Sequence, residues 1–241
     1  MILLKAGCIG DVRDFDKLRS LTRVSGKLIN LVPLRVGMGR EPPLGATVDN
    51  TFLRVRKNGE EIPYIPGSTL KGVLRNYFEQ LAKSRYPELH DPWDQDKIDK
   101  EAKEGDFCVV CGTFGSTRIA SHIRVFDAYP RSKVTTNIKT CVGIDREFQA
   151  ARPGILYTEE FIEPGYEWSF KMDIINIQFP EEGGDERSML LTETIRALKL
   201  GLLSFGARKS VGFGHIQLKE AKWVRYVLKE GVLKEEVSSS I

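Results

Sequence analysis

Cys108 and Cys111 stand at Cys-x-x-Cys spacing, which lets one turn present two thiolates to a single tetrahedral ion. His90 lies in the same acidic stretch and supplies a third donor of the right type. Zn²⁺ there needs a fourth ligand. Cys8, His122, Cys141 and Asp91 are all candidates, and spacing does not choose among them. Two buried cysteines without an ion would show the same spacing. A second group of residues is glycine-rich and cationic. Pro66-Gly67-Ser68-Thr69-Leu70-Lys71-Gly72-Val73-Leu74-Arg75 opens a helix, whose unpaired N–H groups and positive dipole end accept phosphate. Lys71 and Arg75, at i and i+4, add two cations. The loop Gly206–Gly214 carries Arg208 and Lys209 between glycines that include Gly212 and Gly214, so its backbone can come close to a sugar-phosphate chain. It does not match the G-x-x-x-x-G-K-[ST] pattern of a nucleotide P-loop. A third loop runs from Gly37-Met38-Gly39-Arg40 to Thr47-Val48-Asp49-Asn50 and holds glycine, a base and one carboxylate.

The elements that must position these groups follow from periodicity. Leu70, Val73, Leu74, Tyr77, Phe78 and Leu81 form one apolar stripe, so a helix follows Pro66-Gly67, with Ser68 as its expected N-cap. Residues 23–36 read as a long strand. Residues 51–65 read as a hairpin turning at Asn58-Gly59. Residues 86–118 interrupt the pattern and look inserted. A strand is expected at 119–128, an extended hairpin or loop at 129–160, and a strand at 165–178. A second helix is expected at about 188–204 and a last strand from His215 to Tyr226, with a frayed tail after Lys229. Without the insertions the order is strand, helix, strand, strand, helix, strand. That predicts an α+β, ferredoxin-like or modified RNA-recognition-motif core. His122 and His215 fall in strands, where packing is the simpler role. Trp93, Trp168 and Trp223 have the surface to stack on bases, although Trp168 sits among core residues.

Bulk properties set the limits. The chain of 241 residues is 41% hydrophobic and 29% charged, which is globular and not disordered. A net charge of +3 hides segregation: residues 1–40 hold eight bases against three acids, and residues 85–106 hold eight acids against four bases. Four cysteines are too few for a disulfide scaffold. Lys5 breaks the short apolar start, and no apolar run approaches a membrane span, so a cytoplasmic protein with no membrane partner is expected.

The stretches IPGSTLKGVLR (65–75), CVVCGTFG (108–115), IRVFDA (123–128), GIDREFQAARPGILYTEEFIEPGYEWSF (143–170) and GFG (212–214) occur in that order. Together they resemble the RAMP superfamily and, within it, the repeating backbone subunit of type III CRISPR effector complexes, over roughly residues 24–220. The resemblance implies one elaborated domain over 1–241, with an inserted zinc-binding helical segment at 86–118 and a protruding thumb-like hairpin at 129–160. It implies guide RNA, target RNA, copies of the same chain and other effector subunits as partners. Arg40, Ser68, Lys71, Arg75, Arg146, Arg208, Lys209, Gly212 and Gly214 would be RNA contacts. His90, Cys108 and Cys111 would hold structural Zn²⁺. Asp49 falls where the family carries the aspartate of metal-dependent target cleavage, with Mg²⁺ or Mn²⁺ as cofactor; turn chemistry by Asp49-Asn50 is the alternative. A guide-binding scaffold without cleavage is the second expectation. A metal-independent guide-processing endoribonuclease is the third, disfavoured because histidine is scarce. The basic stretch before residue 23 is longer than the family's usual start and is expected to pack on an adjacent subunit or line the RNA channel.

Overall fold

A computed structural model describes residues 7–39, 48–180 and 185–240; Arg40, one of the expected RNA contacts, lies outside them. In chain order the elements are β1 (Ser20–Asn30), β2 (Arg54–Lys57), β3 (Glu60–Pro63), α1 (Gly67–Arg85), α2 (Gln95–Glu104), the short α3 (Cys111–Phe114) and β4 (Ile123–Val125). There follow β5 (Thr136–Asp145), β6 (Ala150–Ile162), β7 (Glu167–Ile175), α4 (Glu186–Lys199), β8 (Leu203–Ser204), β9 (His215–Lys229) and β10 (Val232–Ser240).

The central sheet runs β10-β9-β1-β7-β4, antiparallel throughout, with β8 also paired to β9. Taking β1, α1, β4, β7, α4 and β9 as the core gives the expected strand-helix-strand-strand-helix-strand order. In space the fourth strand lies beside the first, then the third, then the second, which is the ferredoxin-like arrangement. Alternation along the strands explains the two faces. Val24, Leu28, Trp168, Phe170, Met172 and Ile216 point to the core, where α1 adds Leu70, Leu74 and Phe78 and α4 adds Leu191, Ile195 and Leu198. The residues between them on the strands make charge pairs, Arg23 with Asp173 at 2.7 Å and Lys27 with Glu220 at 2.8 Å. These strand residues do not form the row of aromatics with which an RNA-recognition sheet stacks bases.

Several expectations need correction. Ser68 is not the N-cap of α1. Pro66 is, in extended conformation, and the first helical N–H, from Gly67, donates to Asp127 Oδ1 at 2.8 Å. The long first strand ends at Asn30 because Pro33 has no N–H for the ladder; the chain then changes partner, with Leu34 bridging Ile162 and Gly37 bridging Phe52. The strand expected at 119–128 shrinks to three residues. The tail is not frayed: a turn at Glu230-Gly231 returns it as β10 along β9. Within the chain, Gly7–Val12 of the basic start lies against the insert, with Ile9 N–H donating to Phe107 O and Val109 N–H to Gly7 O, both at 2.9 Å.

Candidate functional site

Two places collect the residues that sequence singles out. The first is a groove along α1. An opening of about 590 Å³ is lined by Ser68, Thr69, Tyr77, Ser204, Gly206 and Lys209. A second of about 470 Å³ is lined by Arg35, Gly37, Asn50, Thr51 and, again, Thr69 and Gly206. The shared residues join them. The helix start, the Gly206–Gly214 loop and the described part of the Gly37–Asn50 loop therefore border one channel.

The loops are held there by internal packing. A Cβ on Gly206 would lie 2.1 Å from Arg35 O, and one on Gly214 2.1 Å from Phe205 O. Those two glycines serve contacts within the chain, where sequence suggested close approach to a ligand. Gly212 meets nothing within 4 Å and stays open.

The cations divide. Lys209 is exposed and has no ion-pair partner among the described residues. Arg208 sits in the left-handed region at φ 63° and donates through Nε to both oxygens of Glu159, at 3.1 and 3.0 Å. Glu159 is 1% exposed and has Arg35 at 3.7 Å as a second partner. Arg208 thus ties the loop to β6. Lys71 and Arg75 lie on the flank of α1 facing the insert: Arg75 donates to Gly115 O at 3.1 Å, and burial, with Arg75 beside it, lowers the Lys71 pKa. Arg146 is exposed in the turn at the tip of the β5–β6 hairpin.

Asp49 lies at the base of that hairpin. Its Oδ2 accepts the Thr158 N–H at 2.7 Å and the Thr158 hydroxyl at 2.9 Å, and Asn50 N–H donates to Thr158 O. The backbone and hydroxyl donors of Thr158 hold the Asp49 pKa below its usual value, so it is a carboxylate throughout the neutral range. Among the described residues Asp49 belongs to no cluster of three or more potential ligands; the one such cluster lies elsewhere.

That cluster is the second place. His90, Glu101, Cys108 and Cys111 bring one donor atom each within 4.8 Å of the others. His90 Nε2 lies 3.3 Å from Cys108 Sγ, 3.6 Å from Cys111 Sγ and 3.0 Å from Glu101 Oε1. Its other ring nitrogen, Nδ1, is 2.8 Å from Asp91 O. That contact fixes the tautomer and turns the Nε2 lone pair on the cluster, as in histidines that bind metal. The α3 start places the thiols, with Cys111 N–H donating to Cys108 Sγ at 3.4 Å. Glu101 Oε2 is buried without a hydrogen-bond partner among the described residues. Hydrogen bonds to Cys108 and then Glu101 push the His90 pKa up to about 10, so the surroundings favour positive charge at that point.

The donor set therefore fits a tetrahedral ion, two sulfurs, one nitrogen and one oxygen. Its fourth member is Glu101, which sequence reading missed because α2 delivers it. Ile98 is the buried residue of this charged helix, and Glu101, three positions on, falls on the same face. The other candidates are engaged elsewhere: His122 pairs with Asp14 at 3.0 Å, Cys141 donates to Glu159 at 3.3 Å, and Asp91 pairs with Lys83 at 2.5 Å. Cys8 lines the same cavity as His90, Glu101 and Cys108.

The family model of the RAMP superfamily matches residues 28–217, a span that takes in most of the central sheet, both long helices and the groove. The chain belongs to that superfamily. A curated relative, the subunit Cmr6 of the CRISPR system Cmr of Pyrococcus furiosus, is 25% identical over 244 aligned residues, covering 83% of this chain and 69% of the relative. Among the described residues no helix is long and apolar enough to cross a membrane.

Proposed function

We propose that this chain is an RNA-binding subunit of a type III CRISPR effector complex, folded as one elaborated RAMP unit over residues 1–241, and that it holds guide RNA in the groove along α1. The observation that carries this reading is the continuity of the groove. Ser68, Thr69 and the Gly206–Lys209 loop, far apart in sequence, border one channel with the exposed Lys209 at its edge. Phosphate contacts of this kind position a strand without reading its sequence. Copies of the chain and other effector subunits complete the path, with the β5–β6 hairpin and Arg146 reaching along the strand as a thumb. The similarity to Cmr6 supports the assembly.

His90, Glu101, Cys108 and Cys111 would hold Zn²⁺, which supplies a cross-link and no reaction step. It would join α2 and α3 to the turn after α1, beside the buried Ile98, Phe107 and Phe114 of the insert.

Cleavage of target RNA at Asp49 is the second reading. It is favoured by the exposure of Asp49 next to Asn50 on the groove wall. Binding alone ranks ahead because the Asp49 carboxylate already caps Thr158 and, among the described residues, belongs to no cluster of three or more potential ligands for Mg²⁺ or Mn²⁺. Reconstitution with guide RNA, complementary target RNA and Mg²⁺ or Mn²⁺ tests both. Guide binding with intact target is expected for wild type and for Asp49→Ala alike. Regularly spaced cuts that disappear in Asp49→Ala would establish cleavage, and failure to bind guide RNA would overturn the reading as a whole.

A further inference from the structure

Trp93 is 78% exposed, while Trp168 and Trp223 are packed into the core. Trp93 also sits on a constrained stretch of backbone. It occupies the third position of a turn closed by Asp94 N–H to Asp91 O at 3.1 Å, with Pro92 before it. Asp94 caps α2 through Lys97 N–H, Lys83 holds Asp91, and His90 is anchored in the metal-ligand cluster. A large exposed apolar side chain carried on so constrained a turn has the features of a contact surface.

Gly72 points to the same place. It lies inside α1, where glycine costs about 1 kcal/mol relative to alanine. Among the described residues nothing requires it: φ is helical and, beyond the helix's own backbone, a Cβ would meet nothing within 4 Å. Removing the side chain keeps the outer surface of α1 bare, which matters only if something from outside lies against it. Gly72, Asn76 and Gln80 border both the guide groove and a further opening of about 360 Å³ whose far wall is Trp93. That opening is close to neutral, since Arg75 and Lys83 balance Glu79 and Asp91, which both pair with Lys83, at 3.2 and 2.5 Å. With the Arg75 guanidinium donating to Gly115 O, it offers an indole face and two side-chain amides, a lining that suits a nucleobase better than a phosphate.

We propose that the strip Gly72–Asn76–Gln80 carries a single-stranded RNA out of the groove and that a base of that strand stacks on Trp93. The proposal rests on the reading of the groove as an RNA channel. With the backbone passing over Gly72, Asn76 and Gln80 meet the base edge, and Trp93 accepts any base by its face, so the subsite adds affinity without sequence preference.

The test is binding of short labelled single-stranded oligoribonucleotides to the full chain, followed by anisotropy and by tryptophan emission. Trp93→Ala is expected to weaken binding roughly 5- to 100-fold, the range for loss of one base–aromatic stack, and Trp93→Phe to retain most of it. Emission should quench on binding to wild type and stay unchanged in Trp93→Ala. Gly72→Leu has open space for its side chain, so it should melt no lower than wild type and still bind RNA more weakly. If Trp93→Ala and Gly72→Leu bind as wild type does while Lys209→Ala binds more weakly, the Trp93 subsite is overturned and the groove stands; the indole is then a contact for a protein surface. If all three bind as wild type does, or wild type does not bind, the groove reading falls and the subsite with it.

Discussion

His90, Glu101, Cys108 and Cys111 bring four donors within 4.8 Å of one another, and the side chains of His90 and Glu101 are only 5% and 12% exposed. Ser68, Thr69 and Lys209, by contrast, stand around an open channel, and among the described residues Lys209 has no ion-pair partner. The cluster is a largely buried set of donors that already contact one another and would suit one cation. The groove is a set of groups left in water, each ready to exchange solvent for a ligand at small cost. A site of the first kind holds the fold together, and a site of the second kind binds a partner from solution. Substitutions should separate along that line, with large stability effects and small binding effects at the cluster, and the reverse in the groove.

The largest expected effect is at the cluster. The apparent binding free energy of a structural zinc is on the order of 10 kcal/mol, and much of it is folding free energy. Cys108→Ser/Cys111→Ser should lose stoichiometric metal in elemental analysis and melt well below wild type. Chelation should lower the melting point of wild type and leave the double variant unmoved. Retained metal, or a melting point insensitive to chelation, would remove the contrast at its strong end.

Arg208 is the next test, because it sits in the groove loop yet is built like the cluster. Truncating one partner of a buried ion pair costs roughly 3–5 kcal/mol. Arg35, 3.7 Å from Glu159, keeps part of the compensation. Arg208→Ala should therefore destabilise the free protein by about 3 kcal/mol in urea melts. A variant that folds as wild type does but loses RNA would return Arg208 to the binding set.

How much of this was readable from sequence follows the same division. Local order was legible: the Leu70–Leu81 stripe gives α1, Asn58-Gly59 gives the β2–β3 turn, and Cys-x-x-Cys with His90 gives three of the four donors. Pairing across the chain was not. Glu101 sits on a helix whose pattern reads as solvated surface, and nothing near Arg208 in sequence reveals Glu159 forty-nine residues away. The β10 strand escaped notice because a polar segment forms a strand only when a long neighbour such as β9 is there to complete its ladder. Nor does helical spacing say which flank of α1 faces the groove. Lys71 and Arg75 share a face, but β4 and α3 occupy that side, and the groove falls to Ser68, Thr69 and Tyr77.

Lys209 should show the smallest stability effect and the cleanest binding effect. Its side chain is exposed and has no ion-pair partner among the described residues, so Lys209→Ala should change folding stability by no more than about 0.5 kcal/mol. If it neutralises one phosphate, its loss should weaken single-stranded RNA binding at low salt, with little dependence on sequence. It should also flatten the slope of log K against log salt by about 0.7, the value for one contact on a single strand. Titrations of wild type and variant over a salt series read both quantities. An unchanged slope would mean that Lys209 does not meet the backbone. A loss confined to particular sequences would mean that it reads bases. Either result would weaken the contrast with the cluster, because the groove would then need the same close fit that the ligand set has.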